Sequence, residues 1–197
     1  MLAIKSSSLG PEHLETLKIR NNLALALNGH GKCAEAEQEH RIVSAVRTRI
    51  LGPDHPDTLR SRGNLASALF GQDRHAEAEK EFRAALAAEE RVLGSEHPSA
   101  LNNRSNLSAV LGTQGKYAEA EKEDRMVLAI RERILRPGHS DIFISCYNLA
   151  QNLERQKKQG EALQFARRAL EGMMKALGDG HSYTQNAKAM VNRLEKP

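Results

Sequence analysis

Five histidines, His13, His55, His97, His139 and His181, recur at a constant step of 42 residues. Imidazoles at a fixed period could ligate metal, move protons, or do one structural job repeatedly. Each stands at or near the end of one short phrase: LGPEH from 9, LGPDH from 51, LGSEH from 93, LRPGH from 135 and LGDGH from 177. The ligands of one zinc ion each lie about 2 Å from it, whereas equivalent positions on stacked helical units are separated by about 8–10 Å. The histidines are therefore expected to start helices, not to share a metal. Cys33 and His75 hold the place that Tyr117 fills in GKYAEA, and the two cysteines, Cys33 and Cys146, form neither a disulfide framework nor a ligand cluster. No glycine-rich phosphate loop and no nucleophile–base constellation is visible, so the reading is non-enzymatic, with no cofactor, catalytic residue or metal site.

Asparagine carries the sharper signal. Asn22, Asn64, Asn106 and Asn148 keep the same 42-residue step, within RNNLALAL, RGNLASAL, RSNLSAVL and CYNLAQNL. Asparagine is a mediocre helix former, so four in register on a helix face need a reason. A carboxamide both donates and accepts, and can pair with the N–H and C=O of an extended peptide irrespective of its side chains. The alternative is that each amide bridges adjacent first helices and orders the stack; both roles are compatible. Lys18 and Arg60 precede their asparagines by four residues, while Asn102 and Ile144 occupy that place later. The expected site is thus basic at its N-terminal end and more apolar toward Tyr147. It comprises Asn22, Asn64, Asn106, Asn148, Lys18, Arg60, Asn102 and Tyr147, and suits a protein or peptide ligand with acidic residues beside an apolar anchor.

These residues must be positioned by helices. In DTLRSRGNLASALF, Leu59, Leu65, Ala66 and Leu69 fall on one side at helical spacing; GQDR interrupts; AEAEKEFRAALAAEERVL resumes with Ala78, Phe82 and Ala85 on one face. Pro56 suits a first helical turn, Asp57 its positive end, and Gly52 the exit from the preceding helix. Each unit is therefore two antiparallel helices. The i,i+4 pairs Glu37/Arg41, Glu79/Arg83 and Glu121/Arg125 are read as a solvated outer face. Arg20, Arg62 and Arg104 fall inside the apolar stripe, and Glu39, Glu81 and Glu123 flank the facing one. The fourth unit replaces both charges, with Cys146 and Phe165. A buried salt bridge within units one to three is expected, its loss costing about 3–5 kcal/mol.

The spacing of Asn64, Leu65, Ala66, Leu69, Ala78, Phe82 and Ala85 resembles the tetratricopeptide repeat, with a unit eight residues longer than the usual 34. The NNLA-type core and LGP-D/E-HP linker look like kinesin light chain and related bacterial arrays, across residues 9 to 194. The resemblance implies an all-α, right-handed α-α superhelix (a TPR solenoid). Its first helices would line a concave groove whose asparagines hold a peptide backbone. The lysines of the carboxylate-clamp subtype are absent at the matching places, which argues against a C-terminal chaperone tail as ligand.

The expected organisation is one domain over 1–197, with full repeats at 9–50, 51–92, 93–134 and 135–176 and a capping helix at 177–197. Residues 1–8 read as the remnant of a preceding second helix, because MLAIK aligns with VLAIR. The chain accordingly reads as a fragment or short derivative of a longer array, and unpaired apolar faces at terminal units raise end-to-end self-association. The 197 residues carry a formal charge of +4, but 27% are charged with both signs mixed, and only 4% are aromatic with no Trp. That composition disfavours a nucleic-acid-binding array, which needs aromatics to stack on bases. MLAIKSSSLG is too short an apolar run for a signal peptide, no stretch suits a membrane span, and the cysteine usage suggests the cytoplasm.

Overall fold

The computed structural model describes residues 9–196, so the reading of MLAIK as a helix remnant falls outside the described residues. Four helix pairs follow one another: α1 (Leu14–Gly29) with α2 (Cys33–Leu51), α3 (Pro56–Phe70) with α4 (His75–Leu93), α5 (Pro98–Thr113) with α6 (Tyr117–Ile134), and α7 (Ser140–Arg155) with α8 (Gln159–Leu177). A last helix, α9 (Ser182–Leu194), follows. Among the described residues there is no strand. Two compact units emerge, Met1–Asn106 and Leu107–Pro197. In the first, α1 packs on α2, α2 on α3 and α3 on α4, and α1 also touches α3; in the second, α6 packs on α7, α7 on α8 and α8 on α9.

The recurring phrases explain the helix ends. His13, His55, His139 and His181 are extended N-cap residues whose imidazoles accept the backbone N–H two residues on. His97 accepts that of Ser99 in the same way. An N-cap acceptor satisfies one of the donors that a helix start leaves open. Three second helices end at a glycine of positive φ, Gly52, Gly94 and Gly178. The phrase LRPGH lacks glycine at that place, and α6 stops one residue sooner, with Leu135 extended. The turns within the pairs place Gly31, Asp73, Gly115 and Lys157 at φ between +59° and +78°.

Small residues let the helices approach. In the first unit Ala24, Ala36 and Ala68 cluster at full burial, and Leu59, Ala66, Ala78, Phe82 and Ala85 are inaccessible. The second unit packs Leu149, Leu153, Ala162, Ala166, Met173 and Met190 into one core. Cys146 is also fully buried there, and burial pushes its thiol up to about 11, so it acts as a small apolar residue.

Two expectations need correction. The i,i+4 pairs form at Glu37/Arg41, Glu79/Arg83 and Glu121/Arg125, but their carboxylates are not solvated: the three glutamate side chains are only 12–14% exposed. At Glu37 and Glu121 the turn of the next repeat brings donors down upon the carboxylate. Glu37 accepts from Gln72 Nε2 and Arg74 Nη1, both at 2.8 Å, and Glu121 from Gln156 Nε2 at 2.8 Å and Lys158 Nζ at 2.7 Å. Glu37 of AEAEQE and Glu121 of AEAEKE therefore each latch one repeat to the next. Burial alone would raise the carboxyls, but the hydrogen bonds prevail, lowering Glu37 and holding Glu121 down at about 2.

The arginines of the apolar stripe are also less buried than expected. Arg20 Nε meets Glu39 at 2.7 Å and Arg62 meets Glu81 at 3.6 Å, as expected within a pair, but these side chains are 20–34% exposed and lie on the margin of the core. Arg104, the most buried at 9%, reaches Glu90 of the preceding second helix. The energetics of a fully buried pair do not apply to Arg62.

Candidate binding surface on the first helices

Two separate surfaces carry the predicted residues: one on α1, α3 and the start of α5 in the first unit, the other on α7 in the second. Leu17 and Ala24 bury one side of α1 completely, leaving Lys18, Asn22 and Leu25 on the accessible side. The same logic turns Asn64 and Arg60 outward on α3, opposite Leu59, Ala66 and Leu69, and Asn102 and Asn106 outward on α5. Asn22 and Asn106 are exposed and Asn64 and Asn148 half-buried; none of the four lies in the packed interior.

Asn64 is held in place, because its Nδ2 donates to Asn21 Oδ1 at 3.0 Å across the two first helices. Asn21 is 6% exposed and was not singled out from the sequence. The amide bridge between first helices thus exists at this step, and it leaves Asn64 Oδ1 and its second N–H directed elsewhere. Arg60 is exposed but forms an ion pair with Asp57 one turn earlier, which tempers the basic end. Lys18 is exposed, flanked on α1 by Leu14 and Leu25, at 48% and 45% exposure. Positions 14, 18, 22 and 25 share one helical side, so the apolar element at the N-terminal end comes from leucines that sequence reasoning did not single out.

In the second unit Tyr147 and Ile144 are half-buried against the core. The Tyr147 hydroxyl accepts Gln151 Nε2 at 3.0 Å. Glu154, one turn from Gln151, is clamped by Arg193 of α9 through bonds of 2.7 and 2.8 Å. The surface around Asn148 is therefore pre-ordered, with an aromatic ring and an amide at its centre.

Below this surface the repeats are joined by polar side chains that the sequence reading passed over. Arg47 donates to Ser61 Oγ at 2.7 Å and Asp57 O at 3.2 Å. One period later Glu89 accepts from Asn103 Nδ2 at 2.7 Å and Ser99 Oγ at 2.6 Å. Next Arg131 donates to Ser145 Oγ at 2.9 Å, and Met173 ends the series with no charge. The slot of Phe82 is equally individual: His40, Asp124 and Ala166 occupy it elsewhere. His40 is fully buried, neither ring nitrogen meets a protein partner, and burial pushes it down to about 4. Asp124 binds Asn152 Nδ2 at 2.6 Å, and its burial raises it to about 6 in spite of that bond. Among the described residues no cluster of three or more His, Cys, Asp or Glu is arranged to hold a metal ion, and no helix is long and apolar enough to cross a membrane.

The tetratricopeptide repeat model matches three overlapping stretches, residues 31–88, 62–133 and 104–175. This chain belongs to the tetratricopeptide repeat family. Among solved structures it is similar to a Podosopora anserina protein with nearly identical TPR-like repeats of the kinesin light chain kind. The identity is 25% and the TM-score 0.77, over 90% of this chain and 84% of that one. The fold is also shared with BtubC (BKLC) from P. vanneervenii, at 17% identity and TM-score 0.72, over 84% of this chain and 65% of that one. RapI shares it at 14% identity and TM-score 0.77, over 98% of this chain and about half, 51%, of that one. No curated protein matches by sequence. The TPR array is a protein-interaction scaffold built from repeats, and its helix pairs are those the 42-residue period required.

Proposed function

We propose that this TPR array holds an extended peptide or protein segment along its first helices, by carboxamide contacts to the ligand backbone, without catalysing a reaction. The observation that carries the reading is the placement of Asn22, Asn64 and Asn106 on the accessible side of successive first helices in one compact unit. Accessible amides in register cost helix propensity and supply donors and acceptors that match a peptide backbone. Lys18 between Leu14 and Leu25 favours a segment pairing an acidic residue with apolar ones, and Asn148 beside Tyr147 offers a second contact region in the other unit. A Rap protein of the same fold is complexed with Competence and Sporulation Factor, which supports ligand capture by this architecture.

One observation favours a second reading, in which the asparagines order the stack: Asn64 already bonds Asn21. Selection from a random peptide library separates the two. If peptides selected by the parent are lost by Asn64→Ala/Asn106→Ala at unchanged helicity, the amides bind ligand. Lowered helicity with retained binding assigns them to the stack, and equal binding by both proteins moves the site elsewhere.

A further inference from the structure

We propose that the histidine caps form an acid-sensitive device that loosens the first helices of all the repeats together. At each of the five caps, an Nδ1 sits 3.1–3.2 Å from a backbone N–H two residues on: Glu15, Asp57, Ser99, Asp141 and Tyr183. An imidazole accepts through Nδ1 only while that nitrogen is bare; the imidazolium has two donors and no acceptor. Protonation therefore replaces a hydrogen bond with two N–H groups facing one another, and adds positive charge where the helix dipole is already positive. Serine, threonine, aspartate or asparagine would cap as well. The caps are instead five copies of the side chain whose charge changes between about pH 5 and 8.

The charges around each cap do not restore the acceptor. On the capped helices Glu15, Asp57 and Asp141 stand two residues after their histidines; Asp57 is paired with Arg60, and Asp141 Oδ1 lies 3.9 Å from His139 Nδ1. Glu12 and Asp54 also neighbour their histidines but are paired with Arg49 and Arg91. From the preceding helices Arg47 and Arg131 bond the starts of α3 and α7, while Glu89 bonds Ser99 beside His97. Glu96 adjoins His97, and Asp179, two residues before His181, meets Lys188 at 3.6 Å. The first helices also carry the asparagine row, so ligand capture would weaken with them. That last link rests on the peptide reading; the loss of helix does not.

The test replaces His55, His97 and His139 with asparagine, which caps without titrating. It is made in a His40→Phe background, because His40 would otherwise contribute to the same pH range. Urea unfolding is followed by helicity at pH 7.5 and pH 5. Each protonated cap lowers the folding equilibrium about five-fold. The His40→Phe protein should lose stability between the two pH values, and the triple asparagine variant should lose distinctly less. Equal losses would overturn the proposal. Should the triple variant not fold at pH 7.5, long-range 1H–15N spectra of the parent decide instead. Bare Nδ1 and protonated Nε2 at these histidines are expected, and a protonated Nδ1 would overturn it.

Discussion

The latch at Glu121 offers a sharp energetic test. Its carboxylate, 13% exposed, accepts from Gln156 Nε2 and Arg125 Nε at 2.8 Å and Lys158 Nζ at 2.7 Å. Glu121→Gln keeps the shape and removes the charge. A folded-state value of about 2 against an ordinary 4.5 corresponds to an upper figure of about 3 kcal/mol. Arg125 and Lys158 are 41% and 45% exposed, so solvent screening reduces this to about 1–2 kcal/mol. For a chain of this length that is a Tm lower by about 2–8 °C at pH 7. The pH dependence has a definite sign. The carboxyl is depressed in the folded state, so its contribution is complete above 4.5 and disappears as the pH falls toward 2. Urea unfolding followed by circular dichroism at pH 7, 4.5, 3.5 and 2.5 should show parent and variant converging only below 4.5. A variant that melts within a degree of the parent at pH 7, or a gap that persists unchanged to pH 2.5, would refute the latch.

Arg62→Ala should cost only about 0.5–1 kcal/mol, since the pair with Glu81 is 3.6 Å long and about a third exposed; a loss of 3 kcal/mol in urea unfolding would contradict that placement. Lys157 holds φ +61° in a turn where the equivalent residues Gly31 and Gly115 are glycines, so Lys157→Gly should raise stability by about 0.5–1 kcal/mol, and a lowered urea midpoint would count against it. His40→Phe copies the residue that repeat two uses in the same slot and removes two buried unpaired ring nitrogens, stabilising the fold by about 1–2 kcal/mol at pH 7. His40 is lowered to about 4 on folding, so the parent loses its contribution as the pH falls from 6.5 toward 4, and the advantage of the variant should widen over that range; a constant advantage would mean that the imidazole is solvated.

The period made much of the fold legible before any coordinates. A phrase ending in histidine at a fixed step located the start of each first helix, and Pro56, Gly52 and the apolar spacing of Leu59, Ala66 and Leu69 defined one pair that the others copy. What escaped were interactions joining one repeat to the next, because they link residues a period or more apart whose types change along the chain. Arg47, Glu89, Arg131 and Met173 share one register yet have opposite or no charge, so no repeated letter advertises the contact. Gln72 and Gln156 do share one register, and their step was available as a signal that Glu37 and Glu121 face a neighbour. The candidate surface was legible as a set of positions, but its details were not: the bond from Asn64 to Asn21 and the ion pair of Arg60 with Asp57 depend on rotamers that a helical wheel does not specify.

The claim that the first-helix amides engage a ligand is tested most directly by following the side-chain amide resonances of Asn22, Asn64 and Asn106 during titration with a library-selected peptide. These resonances should shift with the occupancy of the peptide, while those of Gln38 and Gln164 on the second helices stay in place. Unmoved asparagine amides in a protein that demonstrably binds the peptide would contradict it.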